Sequence, residues 1–537
     1  MKKKRTLILF LIVAILFIIM AFGVYIVLDS QKIRTYSMYK LDDDKYNEII
    51  SNRSIVSQNI EDLKFNDYPL MYDASSNLYY YSVLQEDGIG VDPVITSKTK
   101  FGTRVGFKDI DITDDLIHEG RHLEMIVYNS KEYYKAEIVC TSLPIVSIIS
   151  DTVPETKDDQ VMTMTVFDNG NGVKERLQTS DGYIRIKGVS STNYPKRSFR
   201  INLREFDEEG NVVANSDKSF LGLRNDDDYI LYAGYNDQEK VRNVFSSYLW
   251  YESCADDNLA GVKNGMYYEY VELFMNNEYY GLYALGFPID KKQLKLSGGE
   301  NLYKKMDWGS EFEMNVEEDG PFADYELKTE GDNDTQAWRD LRDYYYTLYS
   351  TEDIDTIYSM VDINNSIDIY LFFSLIIGDD NINGYDLKNL YMFTKFIDGK
   401  MKMFYTPWDM DFSWGNAYFK EEQNWTDTYG YVPDKINRVM LQNPVQYLLD
   451  YEDENIKGLI KERYDYLRQN GWSNETIFNI LDGYKKDIYD SGAYGRDKER
   501  WPDGTYSIED VELDRFNGFV KERLEFFDYY VADLTTE

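Results

Sequence analysis

One segment constrains the fold more tightly than any other: Lys388–Asp411, KNLYMFTKFIDGKMKMFYTPWDMD. An Asp-Gly pair between two apolar-rich runs marks a two-residue type I′ hairpin, whose central residues both need positive φ. With Ile397 facing Lys400, every further pair is fixed, and Asn389 falls opposite Trp408, next to Asp409. Pro407 ends regular pairing, so the face each residue occupies stays open. Just upstream, GDDNINGYD carries Asp379, Asp380 and Asp386 out of a strongly apolar helix, for which Asp362 is the expected N-cap. Oxygen donors therefore converge from a helix exit and from both ends of one hairpin.

Such a sulfur-free, oxygen-rich set suits a hard cation such as Mg²⁺ or Mn²⁺. A lone Asp-x-Asp is more often a solvated loop. Here Trp408 and Trp414 flank the pair, which implies partial burial, where unpaired carboxylates are costly. The order Asp, Asn, hairpin, Asp, then DFSWG has the layout of a kinase catalytic loop followed by a metal loop. Asn389, Asp409 and Asp411 are the candidate metal ligands.

Two further segments carry candidate phosphate contacts. In YIRIKGVSSTNYPKRSFRINL (Tyr183–Leu203), alternation puts Phe199, Ile201 and Leu203 on one face and Lys196, Ser198 and Arg200 on the other. Gly188, Ser190, Ser191 and Thr192 offer backbone N–H and hydroxyl donors to phosphate oxygens, with Lys196 as the charge. An exposed hairpin with a cationic face explains this stretch equally well. In LGLRNDDDYILYAGYNDQEKVRNVFSSYLW, Asp237 and Arg242 frame the start of a helix expected over residues 238–252. Arg242 is a candidate for an internal ion pair or a phosphate contact, the structural role being favoured.

The chain has 537 residues, so more than one domain is expected. Its net charge of −37 argues against a general nucleic-acid binder. With two cysteines and two histidines, a disulfide framework, a zinc site and a His-based triad are all disfavoured. MKKKR precedes 23 uncharged residues, 6–28. That pattern predicts a transmembrane helix with a cytoplasmic N-terminus, hence a single-pass membrane protein with its bulk on the external face or associated with a spore. The remaining chain divides into a spacer (29–67), a small β-sandwich (68–143) and an α+β domain (144–537) whose first half is β-rich and second half α-rich.

Five pieces, taken in order, resemble the spore coat protein H (CotH-type) kinase family. They are IRIKGVSSTNYPKRSFRINL, LGLRNDDDYILYAGYNDQEKVRN, YVELFMNNEYYGLYAL, NLYKK and KNLYMF…PWDMDFSWGN. The resemblance spans roughly residue 144 to the C-terminus. It implies a bilobal, atypical protein-kinase-like fold, with an N-lobe over about 144–330 and a C-lobe over about 331–537. It also implies ATP, a divalent metal and transfer to Ser/Thr of a coat or surface protein. By the same resemblance Lys196 contacts phosphates and Asp409 holds metal with Asp411 beside it. Asn389 is the catalytic-loop asparagine, and the catalytic aspartate is Asp380 or Asp386. Two departures stand out: Phe287 replaces an acidic residue in LGFPID, and Lys187 replaces an arginine before Gly188. The first keeps two alternatives in play, a catalytically inactive scaffold and, from the abundant tyrosine and tryptophan, a glycan-binding surface protein.

Overall fold

The computed structural model describes the chain except for residues 1, 31, 38, 57–62, 66–67, 85–93, 100–101, 109–121, 309–320, 330–334, 384–385, 417–432, 436–442, 507–512 and 537. The side chains of residues 2–12, 27, 30, 383 and 386 also fall outside the description.

Seven strands close on themselves as a barrel. In chain order they are Ile145–Ser150, Gln160–Phe167, Leu177–Lys187, Ser198–Phe206, Asp228–Tyr232, Tyr268–Met275 and Glu278–Gly286. Six of the pairings form a row, and the seventh, Gly182–Lys187 against Leu203–Ser198, joins its ends. Alternation explains the filling: Ile184 and Ile186, Phe199 and Ile201, Val271 and Leu273 all point into one buried cluster. Gly182 sits where two strands approach most closely, since a Cβ there would lie 2.3 Å from the Asn202 carbonyl oxygen. The last hairpin turns at Asn276-Asn277, both left-handed with φ of 52° and 63°, as a type I′ turn requires.

The Asp-Gly ribbon adopts the register read from the sequence, Leu390–Ile397 against Lys400–Pro407, with Ile397 opposite Lys400. Asp398 and Gly399 take the positive φ of the turn. Two short strands, Leu302–Lys305 and Tyr325–Leu327, extend this ribbon to four strands. They precede residue 330, yet they belong to the ribbon sheet and not to the barrel, because Leu302 and Tyr303 pair with Phe393 and Met392.

Helices cover the second half. Asp362 caps Ile363–Ile376 by accepting from the N–H groups of Asn364 and Asn365. Twelve of that helix's residues are buried, so its sequence is apolar on all sides. Glu454–Gln469, Asn474–Tyr484, Ala493–Arg500 and Asp514–Thr536 complete the layer used below. The expected helix over 238–252 begins at Arg242, whose N–H is taken by the Asp237 carboxylate at 2.7 Å.

Before the barrel lie two small sheets. The stretch expected as a spacer contributes a strand, Ile33–Ser37, a helix, Asp43–Ser51, and the buried side chains of Leu63 and Phe65. This region docks on the barrel through Tyr80, which stacks on Tyr279 with centroids 5.1 Å apart. The N-terminal apolar run forms a helix, Lys2–Ser30. Among the described residues, however, no helix is long and apolar enough to cross a membrane, which overturns the expected single-pass anchor and the location drawn from it.

Candidate active site

A cleft of about 580 Å³ separates the barrel from the ribbon sheet. The pleat that sends Ile184, Ile186, Phe199 and Ile201 inward turns Lys187 and Arg200 out into it. From the other side Lys304, Tyr391 and Trp408 complete the wall. The Trp408 ring lies within reach of two ammonium groups, Lys187 Nζ at 4.5 Å and Lys304 Nζ at 5.3 Å from its centroid. Burial pulls the Lys187 ammonium down to about 8, against the opposing charge of Asp409. Burial also lowers Lys304, again countered first by Asp409. Both lysines thus feel the charge of Asp409, the residue after Trp408. Arg200 is held by Asp228, its Nε donating at 2.6 Å.

Trp408 is also where the acidic stretch of PWDMDFSWG begins. Trp408 N–H donates to Asn389 O at 3.0 Å, continuing the ribbon register by one pair. Asn389 and Asp409 then both turn left-handed, with φ of 54° and 56°, a conformation Asn and Asp tolerate best. Asn389 Nδ2 donates to Asp380 Oδ2 at 2.7 Å, so its amide oxygen is the atom that could be offered to a metal. Lys388 holds the other Asp380 oxygen at 3.1 Å. Burial raises Asp380 to about 6, Lys388 opposing and Asp409 adding to the rise. Asp411 is buried and accepts from Asn236 Nδ2 at 2.7 Å. Burial first, then the charge of Asp409, hold its carboxyl well above the usual range. Two amides that staple this loop, Asn381 and Asn416, are wholly buried, and the Oδ1 atom of each has no hydrogen-bond partner. Carboxylates that feel one another's charge, with unpartnered amide oxygens in the same loop region, have the chemistry that suits a hard divalent cation.

A family model described as CotH kinase protein matches residues 184–527. The chain belongs to the CotH kinase family. No curated protein matches the chain.

Several of the candidate residues lie elsewhere. Lys196 does not share the Arg200 face, because the strand begins only at Ser198 and Pro195 precedes it. Lys196 turns inward to Asp497 at 2.8 Å, both side chains fully buried, and donates to Leu282 O at 2.6 Å. Ser190 is exposed and Ser191 half-buried on a 3₁₀ turn. Neither lines the cleft, whereas Gly188 does. Arg242 is wholly buried between Asp237 and Glu239, with Nε donating to Ser413 O at 3.0 Å. Its role is to hold the Asp-rich loop, as Asn243 also does by accepting from Met410 N. The backbone of Asp386 pairs with Asn383, and its side chain lies outside the described atoms. Phe287 packs in the barrel core with the Arg224 guanidinium over its ring. The buried Glu272 accepts from Arg496, Tyr279 and Thr141.

The lysine pair around Trp408 and the Asn236 brace were not anticipated as site groups. The signal for Lys187 was present as the departure before Gly188, and Lys304 stands in NLYKK. One acidic cluster is already neutralised: Asp217, Asp226 and Asp227 surround the Lys292 ammonium at 3.1, 2.9 and 3.1 Å.

Proposed function

We propose that this CotH-family chain transfers the γ-phosphoryl group of ATP to a Ser or Thr hydroxyl of a protein, with Mg²⁺ or Mn²⁺. The barrel and the helical half act as the two lobes on either side of the cleft. The observation that carries the reading is that two lysines lining the cleft, both at the Trp408 ring, feel the charge of the next residue, Asp409, while Asn389, bonded to Trp408, also holds Asp380. Asp409, Asp411 and the amide oxygen of Asn389 are the ligands for the metal, which when bound neutralises charge on the phosphate oxygens. Lys187 and Lys304 hold phosphate oxygens as point charges, and Trp408 sets their spacing. Arg200 and Gly188 shape the wall of that pocket.

Asp380 is the assigned base. It accepts the hydroxyl proton as the hydroxyl oxygen bonds to the γ-phosphorus and the bridge to the β-phosphate breaks, releasing ADP. Its elevated proton affinity suits that task better than an ordinary carboxylate would. Catalysis here is positioning and charge compensation.

The test is ATP- and Mn²⁺-dependent incorporation of labelled phosphate into protein, with Asp409→Ala and Lys187→Met alongside. Asp409→Ala should abolish transfer while melting like the parent without metal. Undiminished incorporation in Asp409→Ala sinks the assignment. A second reading, nucleotide binding without transfer, is favoured by the apolar burial of Phe287 where the family has an acid. It predicts metal-dependent stabilisation by ATP with no incorporation.

A further inference from the structure

A second cavity, of about 390 Å³, lies on another part of the barrel. It exists because Ile145–Ser150 reaches Tyr268–Met275 only from Glu272 onward. Residues 268–271 thus have the Glu278–Gly286 strand on one side and no strand of the barrel on the other. Tyr248 from the Arg242–Ser253 helix, Tyr267, and Tyr484 at the end of Asn474–Tyr484 wall the notch. Three carboxyl groups line it: Asp168, Glu269 and Asp487. Among the described residues that line it there is no lysine, arginine or histidine.

The charge balance is what makes this cavity unusual. Three wholly buried acids elsewhere have cations against them: Asp497 has Lys196, Asp368 has Arg463, and Glu272 has Arg496. Here the Tyr267 hydroxyl is the side-chain partner of Glu269. Arg176 is directed to the backbone carbonyls of Asp168 and Gly170. Lys486 tempers Asp487 from an exposed position. Burial raises Glu269 to about 7, with Asp487 and then Asp168 adding to the rise. Burial also raises Asp487 to about 6.

Tyrosine side chains and carboxylates around a half-open notch with no cation in its described lining are complementary to an organic cation, which gains from the ring quadrupoles and the charge together. We infer that the notch beside Tyr267 binds an alkylammonium group, between the tyrosine rings and the carboxylates of Glu269, Asp487 and Asp168. The chemistry is shared by a free polyamine and by the lysine side chain of a partner protein. The inference does not depend on phosphoryl transfer at the first cleft.

The experiment is calorimetric titration of the full chain with spermidine, and separately with acetyl-Gly-Lys-Gly amide, at matched ionic strength. Saturable binding of either probe is expected, weakened about tenfold or more by Glu269→Gln or Asp487→Asn. Spermidine alone binding assigns the site to free amines; the peptide alone assigns it to a partner's lysine. The inference is overturned if neither probe saturates below about 10 mM. It is equally overturned if both variants, melting as cooperatively as the parent, bind like the parent.

Discussion

Lys196→Met separates two roles for one lysine. As a phosphate ligand, its loss would weaken ATP binding and leave folding alone. In the structure, its Nζ sits 2.8 Å from Asp497 with both side chains fully buried. Removing one partner leaves the other charge in a low-dielectric interior, at about 3–5 kcal/mol. Two features pull the value toward the lower end. Asp497 keeps the Leu282 N–H at 3.0 Å and the Tyr506 hydroxyl at 2.9 Å. Lys240 also feels the Asp497 charge. At about 2–4 °C per kcal/mol, the melting temperature should fall by roughly 6–12 °C. Pairing Lys196→Met with Asp497→Asn removes the stranded charge but keeps an acceptor for Leu282, so more than half the loss should return. Differential scanning fluorimetry, with and without Mn²⁺-ATP, reads both effects. If Lys196→Met melts like the parent yet loses its ATP-dependent stabilisation, the buried-pair reasoning is wrong.

Other substitutions test other parts of the argument. Gly188 has φ of +116°, so Gly188→Ala should cost about 1–2 kcal/mol in chemical denaturation, and Ser191→Ala should not rescue it even though Ser191 Oγ is the nearest atom to the added Cβ. Asp411→Asn relieves a buried like-charge pair; the variant should melt at or above the parent in chelator and lose its Mn²⁺-dependent shift. Glu269 binds its proton more tightly folded than unfolded, so its contribution is present below about pH 4.5 and lost as pH rises through about 7. Glu269→Gln should therefore be more stable than the parent at pH 8, by up to about 3 kcal/mol, with the difference vanishing near pH 4; a constant difference across that range would contradict the assigned burial.

What was legible in the sequence was what local rules control. The Asp398-Gly399 turn fixes its own geometry, and the ribbon register followed residue by residue, down to Asn389 beside Trp408. The Asn276-Asn277 turn and the Asp362 cap are set within a few residues in the same way. Barrel closure was not legible, because it depends on the strand Leu177–Lys187 having a neighbour on each side, and alternation alone does not say how many neighbours a strand has. Lys196 was misplaced by extending the pleat two residues past its start at Ser198. Asn389 and Asp380 come together because one hairpin and one helix exit deliver them, and both stand next to the start of the Asp409 loop. The lysines that feel the Asp409 charge come from two separate sheets, a long-range coincidence with no local pattern.

Closing the barrel has a consequence for solution behaviour. A closed ring leaves little free border, so among the described residues the exposed β-edge chemistry of this region falls, apart from residues 268–271, to one short appendage, Val212–Asn215. It pairs only with Arg204–Phe206, and all four of its residues are exposed, Val213 by 59%. At neutral pH the −37 charge keeps copies of the chain apart. As acid protonates the carboxylates that repulsion fades, and the two valines become the seam along which one molecule can zip to the next.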